Sequence, residues 1–192
     1  MVEAVINLAS ANSLISAYIA DVQYFEELAE KYKIQSVPAT IIDQHLVLLG
    51  QLTQERLAEL LAQREGPDYD RERIRSLIER GLIAEAADLI CKEEGGQAAL
   101  SLFEQGDLSM RMGVLVVFEE ALESDALSVR KMVPQLITLL SHEDARIRGD
   151  IADLLGKVGD LRAIPHLEKL ATDDDPDVVE ATVEALDLLR SP

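Results

Sequence analysis

The sequence has no tryptophan, a single cysteine and few aromatic side chains, 4% in all. One cysteine, Cys91, excludes a disulfide framework and any cysteine-based zinc site built within one chain. Basic residues are also short. Eighteen Lys and Arg face 36 Asp and Glu, a net charge of -18. Nucleic-acid binding needs a basic footprint, and no stretch supplies one. An anionic membrane surface would repel such a chain. The longest apolar runs fall far short of a membrane span, and no basic start leads into an apolar run as in a signal peptide. A cytoplasmic protein with neither nucleic-acid nor membrane partner is expected.

What is present is a 192-residue chain, 48% hydrophobic and 28% charged, ordinary for a globular protein and long enough for a core without staples. The acidity is uneven. Residues 1–66 carry four basic and nine acidic side chains, residues 67–192 fourteen and twenty-seven.

Helical spacing of Val2, Val5, Ile6 and Ala9 predicts a helix over residues 2–11. The run from Leu14 to Ala20 is short and apolar and reads as a buried strand. A second helix is predicted from Tyr24 to Tyr32, with Phe25, Leu28, Ala29 and Tyr32 inward. Pro38 must begin or precede a strand, since it cannot donate to a central ladder. Ala39–Asp43 and His45–Leu49 then form a tight antiparallel hairpin. Thr53 caps a helix over Gln54–Gln63 whose core face is Leu57, Leu60 and Leu61.

Glu65-Gly66-Pro67-Asp68 reads as a linker. Beyond it the periodicity is helical throughout. Helices are expected at Asp70–Arg80, stopped by Gly81; at Ile83–Lys92, stopped by Gly95-Gly96; and at Ala98–Gln105, stopped by Gly106.

The last third of the chain repeats itself. Val133-Pro-Gln-Leu-Ile-Thr-Leu-Leu140 lines up with Ile164-Pro-His-Leu-Glu-Lys-Leu-Ala171, 31 residues on. Asp144-Ala-Arg-Ile-Arg lines up with Asp175-Pro-Asp-Val-Val at the same spacing. A weaker copy starts at Asp107, 37 residues before Asp144, and aligns Phe118 with Leu155 and Leu186. Pro134 and Pro165 fall in first helical turns, where no amide donor is lost. Asp144 and Asp175 stand where caps belong. This pattern over residues 107–190 resembles HEAT repeats, particularly the short kind of bilin-lyase-like proteins. The resemblance implies stacked helix pairs and protein binding on the face lined by second helices. Here that face would present Gln135, Thr138, His142, His166 and Lys169.

The stretch from Phe25 to Asp43, with its Ile34-Gln-Ser-Val-Pro38 turn, resembles the thioredoxin and glutaredoxin-like family. The order helix, strand, helix, Val-Pro, hairpin, glycine, helix runs over residues 2–64. The resemblance implies that Pro38 is cis and that Val37 and Pro38 form a polypeptide-binding loop. It also implies a first strand leading into Cys-x-x-Cys, and neither lies in this sequence. The expectation is a shortened piece of a longer protein, or a sheet completed by direct re-pairing or by another chain, self-association included.

The expected fold is therefore α/β plus all-α: an incomplete thioredoxin-like domain at 1–65, a helical connector at 66–106 and a short HEAT-like α-solenoid at 107–192. No catalytic residue, metal site or cofactor is expected within this chain. Cys91 sits late in a helix beside Lys92 and two glutamates, where the helix's negative end raises a thiol's pKa; a structural thiol is expected. His45, His142 and His166 are scattered. Asp173-Asp-Asp-Pro-Asp177 lacks the glycine and distal glutamate of a calcium loop and fits helix capping. Three functions follow: a redox module, oxidoreductase or adaptor, fused to an interaction module; a non-catalytic protein-binding scaffold; and a chaperone-like tetrapyrrole binder.

Overall fold

The computed structural model describes residues 2–64, 66–92 and 94–191. Met1, Glu65, Glu93 and Pro192 lie outside the described residues, so the head of the expected linker and the first glutamate after Lys92 do too. The chain divides into two compact units, Met1–Leu82 and Ile83–Pro192.

The first unit holds helices α1 (Val2–Ala11), α2 (Glu26–Lys31), α3 (Gln54–Ala62) and α4 (Pro67–Glu79), with strands β1 (Ala39–Ile42) and β2 (Leu46–Leu49). The strands form an antiparallel hairpin in which Ala39 faces Leu49 and Ile42 faces Leu46. Asp43, Gln44 and His45 make the turn, and the backbone of Asp43 and Gln44 is left-handed. Thr53 caps α3 by accepting the Arg56 amide through its hydroxyl, as its sequence position predicts. A small core gathers Ile42, Leu46, Leu57, Leu60 and Tyr69, with Val5, Leu8, Leu48 and Leu61 against it. The ion pairs Arg64–Asp43 at 3.1 Å and Arg56–Glu72 at 2.7 Å tie α3 to the hairpin turn and to α4. Ser76 of α4 donates its hydroxyl to the Val47 carbonyl.

Three local expectations fail in this unit. Residues 14–20 are not a strand: among the described residues the sheet contains only β1 and β2. Leu14, Tyr18 and Ile19 are 86%, 94% and 57% exposed. A strand needs a ladder partner for its amides and carbonyls, and among the described residues neither β1 nor β2 pairs with this segment. Phe25 is exposed rather than inward. The inward side of α1 is Val5 and Leu8, while Val2 and Ile6 face out; the two faces are equally apolar in the sequence, so periodicity alone does not separate them.

The second unit is helical: α5 (Ile83–Ile90), α6 (Gly95–Gln105), α7 (Leu108–Lys131), α8 (Val133–Leu139), α9 (Ala145–Val158), α10 (Ile164–Leu170) and α11 (Pro176–Arg190). A 3-10 turn, Leu161–Ala163, precedes α10. α7 is broken at Asp125, whose backbone is non-helical. Gly95 and Gly96 do not stop a helix; they start α6. A Cβ on Gly95 would stand 2.0 Å from the Leu89 carbonyl oxygen, and one on Gly96 2.5 Å from the Met132 methyl. Close approach to the Leu89 backbone, not helix termination, is why glycine is needed at 95.

The repeat is real in three dimensions. Asp107, Asp144 and Asp175 each cap a helix, accepting the amides of Met110, Arg146 and Asp177 at 2.9, 2.9 and 3.0 Å. Pro134 and Pro165 open α8 and α10. The aligned Phe118, Leu155 and Leu186 are all buried. α9 and α11 lie against each other so closely that a Cβ on Gly156 would come within 2.8 Å of the Ala185 Cα.

Candidate protein-interaction surfaces

In the first unit the Val37–Pro38 peptide is cis, as the resemblance implies. Val37 is 61% exposed. The Pro38 carbonyl accepts the Gly50 amide at 2.7 Å. That bond fixes the alternation along the hairpin: Thr40 and Ile42 turn their backbone groups toward β2, and Ala39 and Ile41 turn theirs toward the opposite edge. Beside the Val37–Pro38 turn, then, runs an edge of β1 that no described strand pairs.

In the second unit Gln135 and Thr138 stand exposed on α8, His166 and Lys169 exposed on α10, and the half-buried His142 lies in the turn between α8 and α9. Two of the five are engaged locally. The Thr138 hydroxyl donates to the Gln135 carbonyl at 2.6 Å. His142 accepts the Asp144 amide on Nδ1 at 3.0 Å, so this ring serves the cap of α9. Gln135, His166 and Lys169 make no side-chain hydrogen bond or ion pair with any described residue.

Sequence reasoning missed the clasp behind this face. Arg148 on α9 donates two bonds to Asp173, at 2.8 and 2.7 Å, and two more to the carbonyls of His142 and Glu143. His142 and Asp173 occupy the same place in successive repeats, so one guanidinium joins two consecutive turns. The hydrogen bonds from Arg148 hold the Asp173 carboxyl below the usual carboxylate range. The acidic run 173–177 is thereby accounted for: Asp173 grips Arg148 and accepts the Asp175 amide, and Asp175 caps α11. Arg111, aligned with Arg148 one copy earlier, is buried and reaches Asp150 at 3.2 Å and Asp144 at 3.6 Å. Burial nevertheless pushes the Asp150 carboxyl up. An arginine four residues after a capping aspartate is the sequence signal that would have found both.

Cys91 follows α5 and is half-buried. Burial, then the carboxylates of Asp125 and Asp88, push its thiol pKa up. It lines a cavity of about 190 Å³ together with Gln97, Leu100, Met132 and Gln135. A thiol held protonated is a poor nucleophile. Among the described residues no three His, Cys, Asp or Glu side chains converge as a metal site, and no helix is long and apolar enough to cross a membrane.

Residues 1–62 match the family model of the thioredoxin domain, and residues 118–187 match that of HEAT repeats. No curated protein and no solved structure matches the chain. The chain thus carries a thioredoxin domain followed by HEAT repeats.

Proposed function

We propose that this chain acts as a non-catalytic protein-binding scaffold. The observation that carries the reading is the repeat stack itself. Its caps, prolines and Arg148 clasp hold α8 to α11 in register while Gln135, His166 and Lys169 stay exposed, with no side-chain partner among the described residues. HEAT repeats support protein–protein interaction in general, and these three side chains, with Thr138 and His142 beside them, are its recognition face. In the first unit Val37, Pro38 and the edge of β1 that no described strand pairs form a second contact, able to accept an extended polypeptide strand from a partner or another copy by backbone pairing. The state of Cys91 supports a role without thiol chemistry.

A second reading is favoured by the thioredoxin-domain match: a redox adaptor or thiol–disulfide oxidoreductase whose dithiol comes from residues other than those of this chain. Dithiol exchange needs an attacking thiolate and a resolving thiol, and one cysteine cannot be both.

The two readings separate in one crosslinking experiment in source cells, with a photoreactive group at Lys169 and the native protein tagged. The scaffold reading expects the same crosslinked partners from wild type and Cys91→Ser, under reducing or oxidising conditions, and their loss with Gln135→Ala/His166→Ala. Partners that depend on oxidation, and are insensitive to the α8 and α10 substitutions, support the redox reading instead.

A further inference from the structure

The first repeat copy exposes a stripe that its successors do not. Leu108, Met112 and Val116 are 60%, 40% and 47% exposed, four residues apart along α7. At that spacing they share one face over about 12 Å. Aligning the capping aspartates gives each a counterpart: Ala145, Gly149 and Asp153 on α9, and Pro176, Glu180 and Glu184 on α11. The repeat architecture therefore has no need for large apolar side chains at these positions. Single exposed apolar residues are ordinary, but a contiguous apolar row marks a surface that something covers.

The surroundings say what. Past Val116, α7 carries Glu119, Glu120 and Glu123. Lys157 neutralises Glu119 at 2.6 Å, and the other two have no ion pair with a described residue. Before Leu108 stand Glu104 and the cap Asp107. A second copy would bring carboxylates onto carboxylates in a chain of net charge -18. An amphipathic helix with apolar anchors at four-residue spacing and Lys or Arg at its margins would match both the row and its rim.

We propose that the exposed face of α7 docks a cationic amphipathic helix of a partner protein. The proposal rests on the scaffold reading and assigns that role a surface separate from α8 and α10.

The test is a titration of the full chain, carrying ¹³C-methyl methionine, with a synthetic helical peptide bearing three leucines on one face and lysines along its flanks. Met112 is exposed, whereas Met110 and Met132 are buried, so its methyl resonance reports on this face. The proposal expects a saturable shift of Met112. It expects affinity to fall about tenfold or more with Val116→Asp or Leu108→Ser, the loss typical of a central anchor. It expects similar loss when glutamates replace the peptide's lysines. Circular dichroism of both variants checks that they fold. No shift of Met112, equal affinity for a peptide with its leucines scattered around the helix, or a Met112 shift that follows protein concentration without peptide would each overturn it. If Lys169→Glu changes peptide binding and Val116→Asp does not, the α7 assignment fails while the scaffold reading stands.

Discussion

The two units of this chain solve the problem of burying apolar side chains with unequal success. Residues 83–192 bury Phe103, Phe118, Leu136, Ile151, Leu155 and Leu167 almost completely, because each helix pair closes over the next. Residues 1–82 bury Ile42, Leu46, Val47, Leu57, Leu60, Tyr69 and Ile74 and leave Leu14, Tyr18, Ile19, Tyr24 and Phe25 exposed. A helix satisfies its own backbone bonds, whereas an extended segment needs a neighbour. The helical unit therefore satisfies its own backbone, and the hairpin unit offers an edge and an apolar segment.

The largest test of that contrast is a matched pair of truncations. Leu46→Ala and Leu155→Ala remove side chains with no exposure in either case, and each costs about 2–5 kcal/mol. In the small first unit that loss should abolish hydrogen-exchange protection of β1 and β2. In the second unit it should lower the urea midpoint while α9 and α11 stay protected. Equal behaviour of the two units would remove the contrast.

Arg148→Ala comes next, at about 2–3 kcal/mol, since it leaves the Asp173 carboxylate and two turn carbonyls without their charged donor. The same clasp predicts an acid limb. With the folded-state pKa of Asp173 lowered, its contribution is fully present above the unfolded value of about 4 and is lost as pH falls through the folded value. Stability of Asp173→Asn should therefore fall less steeply than that of wild type as pH drops below about 4. Parallel curves would show that the clasp contributes nothing.

Gly156→Ala should cost about 1–3 kcal/mol by overpacking, because the obstructing atom is the Ala185 backbone. A neutral result in thermal melts would mean that α9 and α11 separate easily. The smallest effect is expected at Tyr18→Ser: within about 0.5 kcal/mol, with any concentration-dependent self-association in sedimentation reduced. A large loss of stability would show that Tyr18 is buried after all.

Much of the helical unit was legible in the sequence because its signals are local. An aspartate cap, a first-turn proline and a buried leucine each act within one helix, and repetition at 31 residues confirmed them. Arg148 was not legible, since its partner lies in the next repeat and only the fold brings them together. Gly95 and Gly96 misled for the opposite reason: a glycine pair reads as a stop until the neighbouring Leu89 carbonyl shows why no side chain fits. The error at residues 14–20 was of a third kind. Apolar composition reports a wish for burial, but strand formation depends on a ladder partner, and nothing local states whether one exists. The thioredoxin domain was legible through the resemblance of Phe25–Asp43, with its Val37–Pro38 turn, to that family; the width of the sheet around it was not.

The most direct measurement is hydrogen exchange of the full chain, resolved to short peptides. The account predicts fast exchange across residues 14–20, protection on the β2-facing amides of Thr40 and Ile42 but not on Ala39 and Ile41, and the slowest exchange within 145–158 and 176–190. Strong protection of residues 14–20 and of the Ala39 and Ile41 amides in the monomer would contradict it, because the sheet would then be complete and its edge already occupied.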